Sequence, residues 1–209
     1  MEYLKEMAAD GYGPGTIGQF HHVMIPHLIE RLGVGRADLI VDVGAAQGHG
    51  LIPAKKAGFN NLTAVDIDPL NFSLFRERYG IQCFECNVDM DRIPIRDAEV
   101  SLLMCFHLIE HLREPDYFLS ESYRILRQNG KIALVTPDWR KQYKTFWRDP
   151  THIHPYDKFS LARLLRIHGF KSVQTFSWGP RYGSGRTGAF AWVPKLGMIG
   201  VDMLALASK

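Results

Sequence analysis

No stretch of this 209-residue chain offers the 18 or so uninterrupted apolar residues that a membrane span needs. The nearest, AFAWVPKLGMIGVDMLALA, is broken by Pro194, Lys195 and Asp202. The opening MEYLKEMAADGYG is acidic and polar where a secretory leader has a basic and then an apolar stretch, so the reading is a cytoplasmic protein. Only three cysteines are present; they cannot make a disulfide framework and agree with a reducing compartment. There is no internal repeat, no low-complexity segment and no long Pro, Ser or acidic tract, so the whole chain is expected to fold. At this length one domain over residues 1–209 is the default.

What is present is ordinary in bulk and uneven in detail. Hydrophobic residues make up 46% and charged ones 22%, near the globular average. The net charge of +3 hides an asymmetry, because residues 139–186 hold ten Lys and Arg against Asp149 and Asp157. That local excess is either a solvated basic face or a region that receives an anionic partner.

Short apolar runs recur at LIVDVG, NLTAVDID, QCFEC, VSLLMCF and GKIALVTP. Segments of helical character or turns separate them, which is the alternation of a parallel α/β sheet. Pro69 opens one expected helix and Gly80 closes it. A second, EPDYFLSESYRILRQNG, is expected to stop at Asn129-Gly130. DWRKQYKTFWRDPTHIHPY reads as a long loop, followed by a helix at DKFSLARLLRIHGF and strands at SVQTFSW and VDMLALAS. A leading helix around IGQFHHVMIPHLIERLG carries Pro26, which implies a kink or a break. The expected fold is a Rossmann-like doubly wound sheet, mostly parallel with an antiparallel last strand and helices on both faces. Residues 1–36 form a helical cap, 37–138 a cofactor-binding core, and 139–209 an acceptor-side loop, helix and last strands.

The first apolar run ends in VDVGAAQGHG, and its glycines stand where the first strand-to-helix turn of such a sheet builds a ligand site. Glycine removes the Cβ that keeps a ligand away and allows positive φ. Asp66 ends the second strand, where a carboxylate can accept two hydrogen bonds from a ribose diol. A dinucleotide fingerprint counted from Gly44 wants glycine at Ala46 and His49, and fails. An NAD-dependent oxidoreductase is therefore disfavoured.

VDVGAAQGHG, AVDID and NVDMDRIPI resemble the class I S-adenosylmethionine-dependent methyltransferases. The pattern D-x-G-x-G-x-G is met by Asp42, Gly44 and Gly48, with Ala46 at the middle glycine, a departure that adds one methyl group. The resemblance covers residues 38–140 well and the remainder loosely. It implies S-adenosyl-L-methionine as cofactor, S-adenosyl-L-homocysteine as product, and a cofactor site built from Asp42, Gly44, Ala45, Ala46, Gln47 and Gly48. It further implies Asp66 on the ribose hydroxyls, Ile67 against the adenine, Val88 and Asp89 at the adenine edge, and Phe106 at the fourth strand's tip. LMCFHLIEHLREPDYFLSESYRILRQNGKIALVTP is similar to the small-molecule branch, in which a Glu-His pair begins a short helix after the fourth strand.

His107, Glu110 and His111 also spell H-x-x-E-H, the pattern of inverted zinc peptidases, but no third ligand follows at a familiar interval and no metal is assigned. A base is required only if the acceptor must lose a proton, and histidine suits that near neutral pH. The candidates are His107, His111, His152 and His154. Cys83 and Cys86, three apart on a strand, face opposite sides and read as core thiols. On the acceptor side, Trp139, Tyr143, Phe146, Trp147 and Tyr156 are expected to form an apolar wall, with Arg140, Lys144, Arg148, Arg181 and Arg186 available to phosphate or carboxylate. The expected reaction is methylation of a hydroxyl on a small, anionic or glycosylated molecule by a monomer or homodimer. Two alternatives stand beside it, a protein that binds S-adenosylmethionine without catalysis and an RNA methyltransferase, although the modest charge weighs against nucleic acid.

Overall fold

The computed structural model describes residues 19–179 and 200–209. Helix α1 (Gln19–Arg31) runs unbroken through Pro26, which lacks the N–H that would bond the carbonyl one turn earlier and crowds that carbonyl with its ring. Seven strands follow: β1 (Ile40–Val43), β2 (Leu62–Asp66), β3 (Gln82–Glu85), β4 (Val100–Phe106), β5 (Leu126–Pro137), β6 (Lys171–Trp178) and β7 (Asp202–Ser208). They make one sheet in the order β3-β2-β1-β4-β5-β7-β6. The first five pair in parallel, and β7 inserts antiparallel between β5 and β6. The Rossmann-like arrangement expected from the apolar runs is the one observed.

Alternation along the strands divides the core between the two faces. Val41, Val43, Leu103 and Cys105 point to one face, where they pack with Phe118, Leu119 and Ile125 of α4 (Pro115–Ile125) and Leu161 and Leu165 of α6 (Lys158–Ile167). Ile40, Ala64, Leu102 and Met104 point to the other. There they meet Ile25 and Ile29 of α1, Leu51 and Ile52 of α2 (Leu51–Lys56), and Phe72 and Phe75 of α3 (Phe72–Tyr79). Each of the Val, Leu, Ile, Met and Phe side chains among these contributes about 1.5–3 kcal/mol by leaving water. Cys83 and Cys86 fall into different clusters, as period-two geometry requires.

Local signals place most element ends. Gly80 caps α3 in the left-handed region, φ 61°. At α6 Asp157 and Ser160 form a capping box, each side chain accepting from the other's backbone N–H. Pro69 opens a short 3₁₀ turn (Pro69–Asn71) that leads into α3.

Three expectations change. Helix α4 stops at Ile125, not at Asn129-Gly130. Leu126 is extended, fully buried and paired with Val100, so burial draws it into the sheet, and the left-handed Asn129, φ 61°, lies instead in the register shift between Leu126 and Lys131. The segment after β4 is a turn rather than a short helix. The long loop after β5 contains a four-residue helix, α5 (Trp139–Gln142), and a 3₁₀ turn (Phe146–Arg148). Among the described residues, no helix is long and apolar enough to cross a membrane.

Candidate functional site: the β1 and β4 tips

Strand order reverses at β1, whose neighbours β2 and β4 lead away in opposite directions. The turn after β1 opens there. Gly48 has φ 80°, and a Cβ on it would stand 2.8 Å from Phe75. At Gly50 a Cβ would meet Asp42 Oδ2 at 2.5 Å. Ala46 also takes positive φ, 42°, a conformation costly for any residue with a Cβ. Two side chains hold it: its N–H donates to Asp66 Oδ2 at 2.7 Å, and its carbonyl accepts from Asn71 Nδ2 at 2.8 Å.

Asp66 accepts a second amide, from Asp68, on Oδ1 at 2.9 Å. Burial raises its pKa while these N–H groups pull it down, with a net rise. The N–H groups of Asp68, Ala46 and Ile67 still leave part of the carboxylate's acceptor capacity open. Asp42 is buried beneath the turn; burial, then the charge of Asp66, pushes its carboxyl well above the usual range. Asp42 Oδ1 and Gln47 Oε1 are buried and have no hydrogen-bond partner. Ile67, beside Asp66, is 61% exposed.

These features suit an adenosine carrying a cationic amino-acid tail. Asp66 keeps lone pairs for a diol, Ile67 offers an apolar surface to a base, and the unpartnered oxygens of Asp42 and Gln47 call for donors or positive charge. Ala45 is buried in the core next to the turn. Val88 is buried in the opposite cluster. Asp89 accepts from the N–H groups of Arg113 and Glu114 on Oδ1, at 2.9 and 3.0 Å, and so ties the loop after β3 to the start of α4.

At the tip of β4, half-buried Phe106 stacks near Trp178 at 6.5 Å. His107 has φ 54°, and its N–H donates to the Val135 carbonyl at 2.8 Å. Its ring lies between two carboxylates, Nδ1 at 3.4 Å from Glu110 Oε1 and Nε2 at 3.8 Å from Asp202 Oδ2. Its side chain is 48% exposed. Burial opposes charge on this imidazole, but Glu110 and then Asp202 outweigh it, so its pKa lies above the ordinary histidine value. Fully buried Glu110 is held below the usual carboxylate range by His107 and His111 against the effect of burial.

Glu110 gathers the other histidines. Its carbonyl accepts from the N–H groups of Ile153 and His154. His111 Nδ1 contacts the carbonyl and hydroxyl of Thr151 at 3.2 and 2.9 Å, and its ring stands 4.8 Å from that of His152. Burial leads the lowering of the His111 pKa. His154 packs 6.0 Å from Tyr156, with Nε2 buried and unpartnered.

On the acceptor side, Trp139, Phe146 and Trp147 meet edge to face at 5.0–6.1 Å. Trp147, Tyr143, Arg140, Lys144 and Arg148 are exposed. Tyr156 is 8% exposed and belongs to the core cluster, not to an open wall; its backbone carbonyl closes the loop on the Trp139 N–H. Arg181 and Arg186 lie outside the described residues.

Sequence reasoning missed three residues at this site. Asn71, in DPLNF, holds Ala46. His21 and His49 stack at 5.0 Å beside the glycine turn, and burial, then His49 and His107, lowers the His21 pKa to about 4. Their only signal was histidine in HH and GHG, meaningful once α1 is known to pack on α2.

Strand order, turn and carboxylate together define a Rossmann-like nucleotide-binding fold. Residues 20–175 match a family described as a methyltransferase domain. The chain is similar to an S-adenosylmethionine-dependent methyltransferase of Mycolicibacterium smegmatis, 27% identical over 169 residues, covering 79% of this chain and 62% of that protein. A chloroplastic 2-methyl-6-phytyl-1,4-hydroquinone methyltransferase of Arabidopsis thaliana is 26% identical over 154 residues, covering 68% of this chain and 43% of that protein. The chain spans roughly half the length of the curated relatives it matches. A Haloferax volcanii methyltransferase, solved in complex with the Trm112 activator, shares the fold with a TM-score of 0.76 at 16% identity, over 98% of this chain and 96% of that one. The chain belongs to the class I S-adenosylmethionine-dependent methyltransferase family.

Proposed function

We propose that the protein transfers a methyl group from S-adenosylmethionine to a hydroxyl of a small acceptor that carries negative charge or a sugar. The observation that carries this reading is the exposed Trp147–Arg148 pair, with Arg140 and Lys144, on the segment that leaves β5 beside the β4 tip. Aromatic faces suit a sugar or ring, and arginine forks suit phosphate or carboxylate.

When bound, the cofactor supplies a methyl group already activated by its sulfonium, so holding the acceptor near attack distance provides most of the acceleration. His107, half-exposed at the tip of β4, takes the hydroxyl proton in its neutral form, and the Glu110 carboxylate stabilises the imidazolium so formed. Asp66, Asp42 and the turn hold the cofactor.

A screen with labelled cofactor tests this reading, begun with anionic and glycosylated hydroxyl compounds. For the acceptor found, Arg148→Ala is expected to raise KM for the charged compound about tenfold or more and to leave its neutral analogue nearly unchanged. Equal losses for both would remove the anion-binding role.

A further inference from the structure

We propose that Glu110, His111 and His152 form a binding site for one divalent transition-metal ion, which fastens the acceptor-side segment to the turn after β4. One ligand atom from each of these residues lies within 4.8 Å of the others. The three come from two separate places, a turn that follows β4 and a loop some forty residues further on, and only the fold joins them. Glu110 and His152 are largely buried and His111 nearly so, so the cluster is no solvated surface group.

The carboxylate is prepared for a cation. Glu110 Oε2 accepts from Thr136 Oγ1 at 2.9 Å, which fixes the group's orientation. Oε1 is fully buried and is reached only by imidazoles, with no hydrogen bond of good geometry. Its neighbours are imidazole nitrogens, His107 Nδ1 at 3.4 Å and His111 Nε2 at 4.0 Å. A buried carboxylate calls for positive charge beside it, which a bound cation supplies together with, or in place of, an imidazolium.

The imidazoles are also held as ligands usually are. Metal-binding histidines commonly donate their second ring N–H to a carbonyl or carboxylate, which sets the tautomer and the ring orientation. His152 Nδ1 lies 2.7 Å from the Phe146 carbonyl, and a carbonyl can only accept, so the proton sits on Nδ1. His111 Nδ1 lies against the Thr151 carbonyl and hydroxyl. That hydroxyl gives its own proton to Asp149 Oδ1 at 2.6 Å, so it too receives from Nδ1. Both rings thereby place their protons away from Nε2, the nitrogen that in His111 faces Glu110.

One carboxylate and two imidazoles favour Zn²⁺, Co²⁺, Ni²⁺, Mn²⁺ or Fe²⁺ over Ca²⁺ and Mg²⁺, which prefer oxygen. Three protein ligands leave a further coordination position open. This inference rests on the side-chain geometry alone and holds whatever the methyl acceptor proves to be.

The test uses the whole chain, freed of any histidine tag, stripped with a chelator and titrated with Co²⁺ and Zn²⁺. Expected are one equivalent of bound metal by mass spectrometry, visible Co²⁺ bands of a four- or five-coordinate site, and a Tm raised by about 5–10 °C at a hundredfold excess over Kd. Glu110→Gln and His152→Asn should each weaken binding at least about a hundredfold, while His168→Asn, on the far end of α6, should not. Binding of S-adenosylhomocysteine to the same variants reports whether the fold survives; if His152→Asn fails that check, His111→Asn takes its place. Wild-type protein that binds no stoichiometric metal would overturn the proposal. So would folded Glu110→Gln and His152→Asn proteins that retain wild-type affinity.

Discussion

The backbone N–H of Ala46 donates to Asp66 Oδ2 at 2.7 Å, so the end of β2 holds the turn after β1 in shape. Asn71 completes the clamp from the far side of Ala46. A residue with a Cβ thereby occupies φ 42°, where the family pattern has glycine.

Ala46→Gly should relieve the left-handed strain, worth about 1–2 kcal/mol, against the greater unfolded-state freedom of glycine, about 0.5–1 kcal/mol. The expected outcome is a stability equal to wild type or higher by up to about 1.5 kcal/mol, read from urea midpoints. A loss greater than about 1 kcal/mol would mean that the alanine methyl is needed for packing.

Stability should also fall in acid for a nameable reason. Glu121 receives Arg124 Nη2 at 2.6 Å, Arg124 Nε at 2.7 Å and the Ile93 N–H at 2.9 Å. Hydrogen bonding from Arg124 is the leading cause that holds its carboxyl below the usual range. A pKa depressed by folding means that the unfolded chain binds more protons, so stability rises with pH. The contribution is complete above the unfolded value, about 4.3, and is lost as pH falls through the lower folded value. Glu121→Gln should cost about 1–3 kcal/mol at pH 7 and flatten the decline below pH about 4.5. Urea titrations between pH 7 and 3 check it; parallel curves for the two proteins would contradict it.

The sheet was legible because its strands are buried on both faces and therefore read as unbroken apolar runs, as at LIVDVG and VSLLMCF. Cys83 and Cys86 were legible because a two-residue period leaves no choice of face. Asn129-Gly130 misled, since the same dipeptide that ends a helix also fits an irregularity in a strand, and only the pairing of Leu126 with Val100 decides between them. The glycine turn and Asp66 stood out at strand ends. The grouping of Glu110, His111 and His152 did not, because spacing along the chain carries no information about a loop folding back. Nor did the strain at Ala46, which shows only as a dihedral angle.

The central claim is that the β1 turn and Asp66 form the pocket for S-adenosylmethionine, and calorimetric titration with S-adenosylhomocysteine tests it most directly. One-to-one binding by the wild-type chain, weakened at least about tenfold in Asp66→Ala and absent with NAD, is the expected result. No heat of binding in the folded wild-type protein, or an affinity that Asp66→Ala leaves unchanged, would contradict it.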